Sequence, residues 1–447
     1  MAIIPHRLQP ETYTENFRDI HPPFETRDAV LVEANRCLYC YDAPCTKSCP
    51  THIDVPKFIK QIATDDLKGS AHTIFMANIM GGGCSRVCPV EKLCEGACVY
   101  NLMEEKPISI ARLQRVPTDE AMRRKWPLFT RKASTGRRVA VIGAGPAGLS
   151  AAHVLSREGI DVTIYEKEER GGGLMTYGVA AYKVTPAYCA EELAYILSLG
   201  GITVQYGLQL GKDLWLKDLQ DEYDAVFLAF GVGLARHLDI PGEELEGVVD
   251  ALRFIYDIRT NDFSSIPVGD KVAVIGMGMT AIDAATQARR LGAGEVSLIY
   301  RRTEAEMPCT EKELAIARQD GCLIHWLAAP EAILGVDGRV TQLRCRRMVL
   351  GPPDASGRRS PQPGEDTITL DVDMVIKATG QMPFGSLVTD SGLAHHYGRI
   401  DSGSQGITSI PGVFAGGDCV NGGKEVVDAV QAGKLSAAAI LSYLQTV

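Results

Sequence analysis

The stretch RRVAVIGAGPAGLSAAHVLSREGIDVTIYE, residues 137–166, decides the fold. Val139–Ile142 is a short apolar run of the kind found in a parallel strand buried on both faces. Gly143-x-Gly145-x-x-Gly148 follows at once, with Pro146 and Ala147 inside it, and Leu149–Arg157 then carries a helical pattern. A second apolar run, Val162–Tyr165, ends in Glu166. Together these make a complete dinucleotide-binding context. The first glycine turns the chain, the second admits a pyrophosphate to the backbone, and the third lets helix pack on strand. The helix N-terminus offers free N–H groups to the phosphates. Glu166 stands where a carboxylate accepts from ribose hydroxyls.

The pattern recurs at Lys271. Val272–Ile275 is the strand, Gly276-Met277-Gly278-Met279-Thr280-Ala281 the turn, Ile282–Leu291 the helix and Val296–Tyr300 the next strand. Ala281 replaces the third glycine. The second strand ends in Arg301-Arg302 rather than an acid, and guanidinium groups there would pair with a ribose 2′-phosphate. This favours NADP(H) over NAD(H); the alternative is a plain basic pair on the surface. Two such units imply two dinucleotides. Gly416-Gly417-Asp418, between strand-like Gly412–Ala415 and helical Val426–Tyr443, is expected to close a flavin site, with Asp418 accepting from the ribityl chain. Ala378-Thr379-Gly380, after Met374–Ile376, reads as the return strand from an inserted domain. The expected division is an FAD domain at 136–235 and 381–447, interrupted by an NAD(P)H domain at 236–380. Pro352–Glu365 (PPDASGRRSPQPGE) reads as a surface loop of the insertion.

Residues 1–135 hold eight of the thirteen cysteines, all between Cys37 and Cys98. The groups are Cys37-x2-Cys40-x4-Cys45-x3-Cys49-Pro50 and Cys84-x3-Cys88-Pro89-x4-Cys94-x3-Cys98. Helical patterns cover Asp28–Cys37, Pro56–Ala63, Gly69–Asn78 and Ser109–Trp126; Gly81–Gly83 break the pattern before Cys84, and Pro117 interrupts the last helix. Eight cysteines could hold two zinc ions. A run that ends in Cys-Pro is closer to the iron–sulfur pattern, in which the last cysteine ligates the other cluster. Flavin and nicotinamide units next door also give one-electron centres a use. The expected fold class is therefore α/β: a helical iron–sulfur domain at 1–135, then two Rossmann-like domains with the NAD(P) domain inserted into the FAD domain.

Composition narrows the function. Net charge is −9 with both signs dispersed, which argues against a nucleic-acid footprint and a polybasic membrane anchor. The N-terminus has no signal-peptide core and no run approaches a membrane span, so a cytoplasmic, reducing setting is expected, where clustered cysteines serve as ligands. Cys189, Cys309, Cys322, Cys345 and Cys419 are isolated and form no C-x-x-C of the disulfide-reducing kind. Hydride from NAD(P)H, a flavin that splits electron pairs and clusters that carry single electrons form a consistent relay.

From about residue 25 onward the chain resembles the electron-input module shared by dihydropyrimidine dehydrogenases and the small subunit of NADPH-dependent glutamate synthase. Asp42-Ala43-Pro44-Cys45, Ser48-Cys49-Pro50-Thr51 and Pro107-Ile108-Ser109-Ile110, leading to Leu113-Gln114-Arg115, resemble the dihydropyrimidine branch. The resemblance implies two [4Fe-4S] clusters, one on Cys37, Cys40, Cys45 and Cys98, the other on Cys49, Cys88, Cys94 and Gln114, with Cys84 a bystander. It also implies that Gly173 and Leu174 line the flavin. Lys183 stands where the family usually has arginine, Met279 where it has Asn or Asp, and Arg301 and Arg302 match its 2′-phosphate pair. The activity implied is oxidation of NAD(P)H, with electrons passed to an FMN-containing subunit that reduces uracil or thymine, in a hetero-oligomer without nucleic acid or membrane. The alternatives are a glutamate synthase small subunit and, from another class, an NADP(H)-responsive binding or assembly protein that holds zinc.

Overall fold

The computed structural model describes residues 3–353 and 359–446. The strands are β1 (Arg138–Ile142), β2 (Asp161–Glu166), β3 (Ile202–Tyr206), β4 (Ala225–Leu228), β5 (Val248–Asp250), β6 (Lys271–Ile275), β7 (Glu295–Tyr300), β8 (Leu323–Trp326), β9 (Ala328–Val336), β10 (Arg339–Pro353), β11 (Arg359–Asp371), β12 (Met374–Lys377) and β13 (Val413–Ala415), with several two-residue strands besides. The helices used below are α1 (Pro10–Asn16), α2 (Arg27–Asn35), α3 (Pro44–Ser48), α4 (Val55–Ala63), α5 (Leu67–Ala77), α6 (Gly81–Val87), α7 (Ile110–Arg123), α8 (Pro146–Arg157), α9 (Pro186–Leu197), α10 (Met279–Arg290) and α11 (Val426–Leu444). The chain forms two compact units, one of Met1–Asp19, Tyr177–Tyr182 and Ala235–Gly380, the other of Ile20–Thr176, Lys183–Leu234 and Gln381–Val447.

In the second unit a parallel sheet runs β13-β4-β1-β2-β3. Val139–Ile142 are buried, as a central strand with both faces covered requires. Its edge strand comes from the far end of the chain: Val413 pairs with Val226 and Ala415 with Leu228. The sheet is therefore assembled from segments on either side of an insertion. Helix α11 seals the join by packing along α8. A Cβ at Gly433 would overlap the carbonyl oxygen of Ala147, so glycine is what allows this approach.

The helices around the cysteines belong to the same unit. In α4, Val55, Phe58, Ile59 and Ile62 share a buried face, and Asp54 caps the first turn by accepting from the Lys57 N–H. Gly81–Gly83 do not break the chain; they open α6. Side chains of Ile74, Tyr188 and Met175 occupy the space that their Cβ atoms would need, so these glycines serve close packing rather than a turn. Pro117 likewise does not interrupt α7, which runs through it. The Thr118 hydroxyl donates to the Gln114 carbonyl at 2.9 Å, and Leu113, Pro117 and Ala121 are buried, so packing outweighs the missing N–H.

The first unit carries a parallel sheet, β5-β12-β6-β7-β8, and an antiparallel sheet, β9-β10-β11. Two expectations change here. Residues 1–135 are not one helical domain, because the N-terminal residues pack into this unit's core. Tyr13 and Phe17 are buried in it, Phe17 stacks on Phe263 with centroids 4.0 Å apart, and Arg7 pairs with Asp270 at 3.2 Å. Pro352–Glu365 is not a plain loop: Met348 pairs with Pro363, Val349 with Gln362 and Leu350 with Pro361 in a long hairpin. The prolines are tolerated because β11 is the sheet edge and the pairing contains register shifts. Residues 354–358 of that stretch lie outside the described residues.

Gly433→Ala is expected to force α11 away from α8 and to destabilise the second unit by about 1–3 kcal/mol, the usual cost of overpacking. Urea unfolding followed by flavin fluorescence would measure it.

Candidate cofactor sites

The two cysteine groups are interleaved. Cys37 follows the end of α2, Cys45 lies in α3, and Cys98 precedes a short turn at Val99–Met103. Cys37, Cys40, Cys45 and Cys98 line one cavity together with Val55, Ile59, Ile108 and Ile110. Burial pushes the Cys45 thiol up to about 12, and the neighbouring Cys37 and Cys98 push the same way. Cys37 is raised for the same first reason. Among the described residues no three Cys, His, Asp or Glu side chains converge as ligands of a single metal ion do. Thiols that ring a cavity suit a multi-iron cluster better than a zinc ion, whose ligands all lie within about 2.0–2.3 Å of one point.

Cys49, Cys88 and Cys94 form the second gathering. A hydrogen bond with Cys84 raises the Cys88 thiol first, followed by burial and the charges of Cys84, Cys94 and Cys49. Burial, Glu95 and Cys49 raise Cys94. Cys84 therefore sits inside this set rather than apart from it, and its sulfur also accepts from the Asn78 amide at 3.2 Å. Gln114 is buried on α7 and donates to the Gly81 carbonyl at 2.5 Å, at the start of the helix that carries Cys84 and leads to Cys88.

Sequence motifs gave no sign of the polar network on α6. The Gly83 N–H donates to Glu192 on α9 at 2.8 Å, and Arg86 chelates Asp119 at 2.9 and 2.8 Å while lying over the Tyr188 ring. Burial pushes the Glu192 carboxyl up to about 7. Met175, next to Leu174, fills the space beside Gly83. The segment expected to line the flavin therefore touches the helix that carries Cys84 and leads to Cys88.

The first dinucleotide turn has the geometry its residues imply. Gly143 takes φ +106°, and a Cβ there would press on the Ala229 carbonyl. A Cβ at Gly148 would overlap the Gly143 carbonyl. Pro146 and Ala147 begin α8, with Gly145 as its N-cap. Gly173, at φ +56°, faces Gly145 so closely that a Cβ would come within 2.9 Å of its Cα. This backbone-lined cleft fits a pyrophosphate. Glu166 ends β2, is buried, and accepts from the N–H groups of Ala144 (2.7 Å) and Glu168 (2.9 Å); burial raises its pKa. Gly417 lies against Ala147 and precedes Asp418, whose pKa burial raises and whose carboxylate accepts from the Lys424 N–H at 3.2 Å. Leu174 begins a single helical turn, and Lys183 is buried.

In the other unit, Gly276 (φ +135°) lies against the Ala378 carbonyl and Gly278 has open space around its Cα, the approach a dinucleotide needs. Met279, Thr280 and Ala281 open α10, with Ala281 fully buried against the core. Arg301 and Arg302 follow β7; Arg301 is exposed, and Arg302 donates to the Arg359 carbonyl at 3.3 Å. Gly380 takes φ +97° and accepts from the Arg236 N–H at 3.2 Å.

The profile of the pyridine nucleotide-disulphide oxidoreductases matches residues 137–433. The chain belongs to this family. A second profile, dihydropyrimidine dehydrogenase domain II with its 4Fe-4S cluster, matches residues 13–126. Among relatives, the oxidoreductase AegA of Escherichia coli (strain K12) is 35% identical over 98% of this chain and 69% of its own length. The NAD-dependent dihydropyrimidine dehydrogenase subunit PreT of Salmonella typhimurium is 35% identical over 96% of this chain and 98% of its own. The NADPH glutamate synthase small chain of Halomonas elongata is 32% identical over 98% and 96%. This pyridine nucleotide-disulphide oxidoreductase is an NAD(P)H-dependent enzyme with FAD and [4Fe-4S] clusters as cofactors. Its cysteines outside the Cys37–Cys98 region, namely Cys189, Cys309, Cys322, Cys345 and Cys419, are all buried and in no disulfide. Among the described residues no helix is long and apolar enough to cross a membrane.

Glu166→Ala would leave the Ala144 and Glu168 N–H groups without their acceptor. FAD occupancy of the purified protein, read from its visible spectrum, is expected to fall, with a stability loss of about 1–3 kcal/mol.

Proposed function

We propose that this chain is the NAD(P)H-oxidising subunit of a two-part enzyme and passes electrons to an FMN-containing partner that reduces uracil and thymine to their 5,6-dihydro forms. The observation that carries the proposal is the packing of Met175, beside the Gly173-Leu174 pair expected to line the flavin, on Gly83 of the helix that leads to Cys88, inside one unit. Electrons taken by the flavin thus have thiol-held centres beside them. The similarity to PreT over almost both full lengths, with the branch residues Asp42-Ala43-Pro44-Cys45 and Gln114, supports the pyrimidine branch.

The residues divide the work. Gly143, Gly145 and Gly148 with the start of α8 hold the FAD pyrophosphate; Glu166 holds its ribose; Gly417 and Asp418 close the flavin side, with Lys183 near the phosphate path. Gly276, Gly278, Met279, Thr280 and Ala281 seat the nicotinamide dinucleotide, Gly380 borders it, and Arg301 with Arg302 receives a 2′-phosphate, favouring NADPH. Cys37, Cys40, Cys45 and Cys98 hold one cluster, and Cys49, Cys88, Cys94 and Gln114 the other. When bound, the flavin accepts hydride and the clusters carry single electrons.

Two measurements test this. Assayed anaerobically, the chain alone should reduce an artificial dye with NADPH, and pyrimidine-dependent NADPH oxidation should appear only after addition of the FMN partner. Pyrimidine reduction by the chain alone would refute the division of labour, and glutamine-dependent turnover with a glutamate synthase large subunit would move the chain to that branch. For the ligand sets, Cys84→Ser should retain full iron, whereas Gln114→Ala should lose about half of it or alter one EPR signal; the reverse result would make Cys84 the ligand.

A further inference from the structure

Helix α11 performs two tasks within its unit. At Gly433 it lies on the backbone of α8 in the first dinucleotide turn. The next residue, Lys434, reaches the cysteine domain, where its ammonium donates to the Ala77 carbonyl at 2.6 Å. Ala77 is the last residue of α5, and the C-terminal end of a helix favours a cation. Asn78, which follows, is fully buried and donates its side-chain amide to Cys84. Burial pushes the Lys434 ammonium below the ordinary lysine range, and the charge of Cys49 acts in the opposite direction. A helix cap alone needs one hydrogen bond and is made as well by an exposed lysine. Here the cation is half-buried and held on the carbonyl just before Asn78, the residue that bonds Cys84.

We propose that Lys434 is a positioning residue for electron transfer, whose ammonium, fixed on the Ala77 carbonyl, sets the reduction potential of the iron–sulfur centre that Cys49 helps to hold. Such potentials follow net charge, hydrogen bonding to sulfur and exposure. A thiolate-ligated cluster becomes more negative on reduction, so a nearby fixed cation favours the reduced form. Glu95, whose charge bears on Cys94, acts in the opposite sense. In each step one electron, drawn from NAD(P)H through the flavin, turns one ferric ion ferrous. Each NAD(P)H yields two such electrons and one proton, released to solvent as NAD(P)+ forms. In a medium of effective dielectric about 20, a unit charge within about 10 Å biases a one-electron equilibrium by about tenfold or more.

The inference rests on Cys49 being a cluster ligand, and the test separates the two. Anaerobic redox titrations followed by EPR would compare the intact protein with Lys434→Met, Lys434→Gln, Lys434→Arg and Cys49→Ser. The neutral variants should lower the midpoint of one centre by a tenfold change in equilibrium, about 59 mV for one electron. The other centre should stay unmoved, and Lys434→Arg should stay near the parent value. Unshifted midpoints in both neutral variants, with both centres present, overturn the assignment. Loss of a centre in both neutral variants makes the role structural and overturns it equally. Cys49→Ser should abolish or alter the signal that moves in the neutral variants; if it leaves both signals and the iron content intact, the ligand reading fails and the proposal falls with it.

Discussion

Backbone-to-backbone contact between α8 and α11 is the constraint on which the flavin unit depends. Two helices approach this closely only where one of them lacks a side chain, and Gly433 supplies that gap against Ala147. The contact lets a segment from the end of the chain complete a sheet begun at β1, brings Gly417 against the first dinucleotide turn, and aims Lys434 at the cysteine helices. A side chain at this one position would separate three features that electron transfer needs together.

The same economy of space governs α6. Its three leading glycines leave room for Tyr188, Glu192 and Met175 to press on the backbone that precedes Cys84. Cys84 and the approach to Cys88 are therefore carried by a helix packed against Met175, α9 and α7. The part-buried Arg86–Asp119 pair and the Gly83–Glu192 bond fix the helix against rotation.

Much of this was legible because motifs report local backbone demands. Gly143, Gly145, Gly148 and Glu166 announce a turn whose geometry depends on few residues, and both Rossmann-like units follow from such strings. Cysteine spacing shows that ligands exist, but the cavity shared by Cys37, Cys40, Cys45 and Cys98 depends on how distant helices fold back, which spacing alone does not encode. Gly81–Gly83 and Pro117 misled for one reason: their local preference for breaking a helix is weak beside the burial around them. Tyr13 and Phe17 carried no signal of their destination, since an apolar pair fits any core that has a vacancy. Glu192 and Lys434 belong to no motif and become visible only through their partners.

The course of the chain has an evolutionary consequence. It passes from one unit to the other at Asp19/Ile20, Thr176/Tyr177, Tyr182/Lys183, Leu234/Ala235 and Gly380/Gln381. The short stretch Tyr177–Tyr182 is sewn into the nucleotide unit: its Ala180 and Ala181 N–H groups donate to Asp283 and Gln287, and Tyr182 bonds Thr286 at 2.7 Å. A lineage could not exchange its nucleotide-binding module by recombination at one pair of breakpoints, because the incoming module would arrive without its N-terminal strap and without this stitch. Moving this module intact would take three separate segments, Met1–Asp19, Tyr177–Tyr182 and Ala235–Gly380, rather than one.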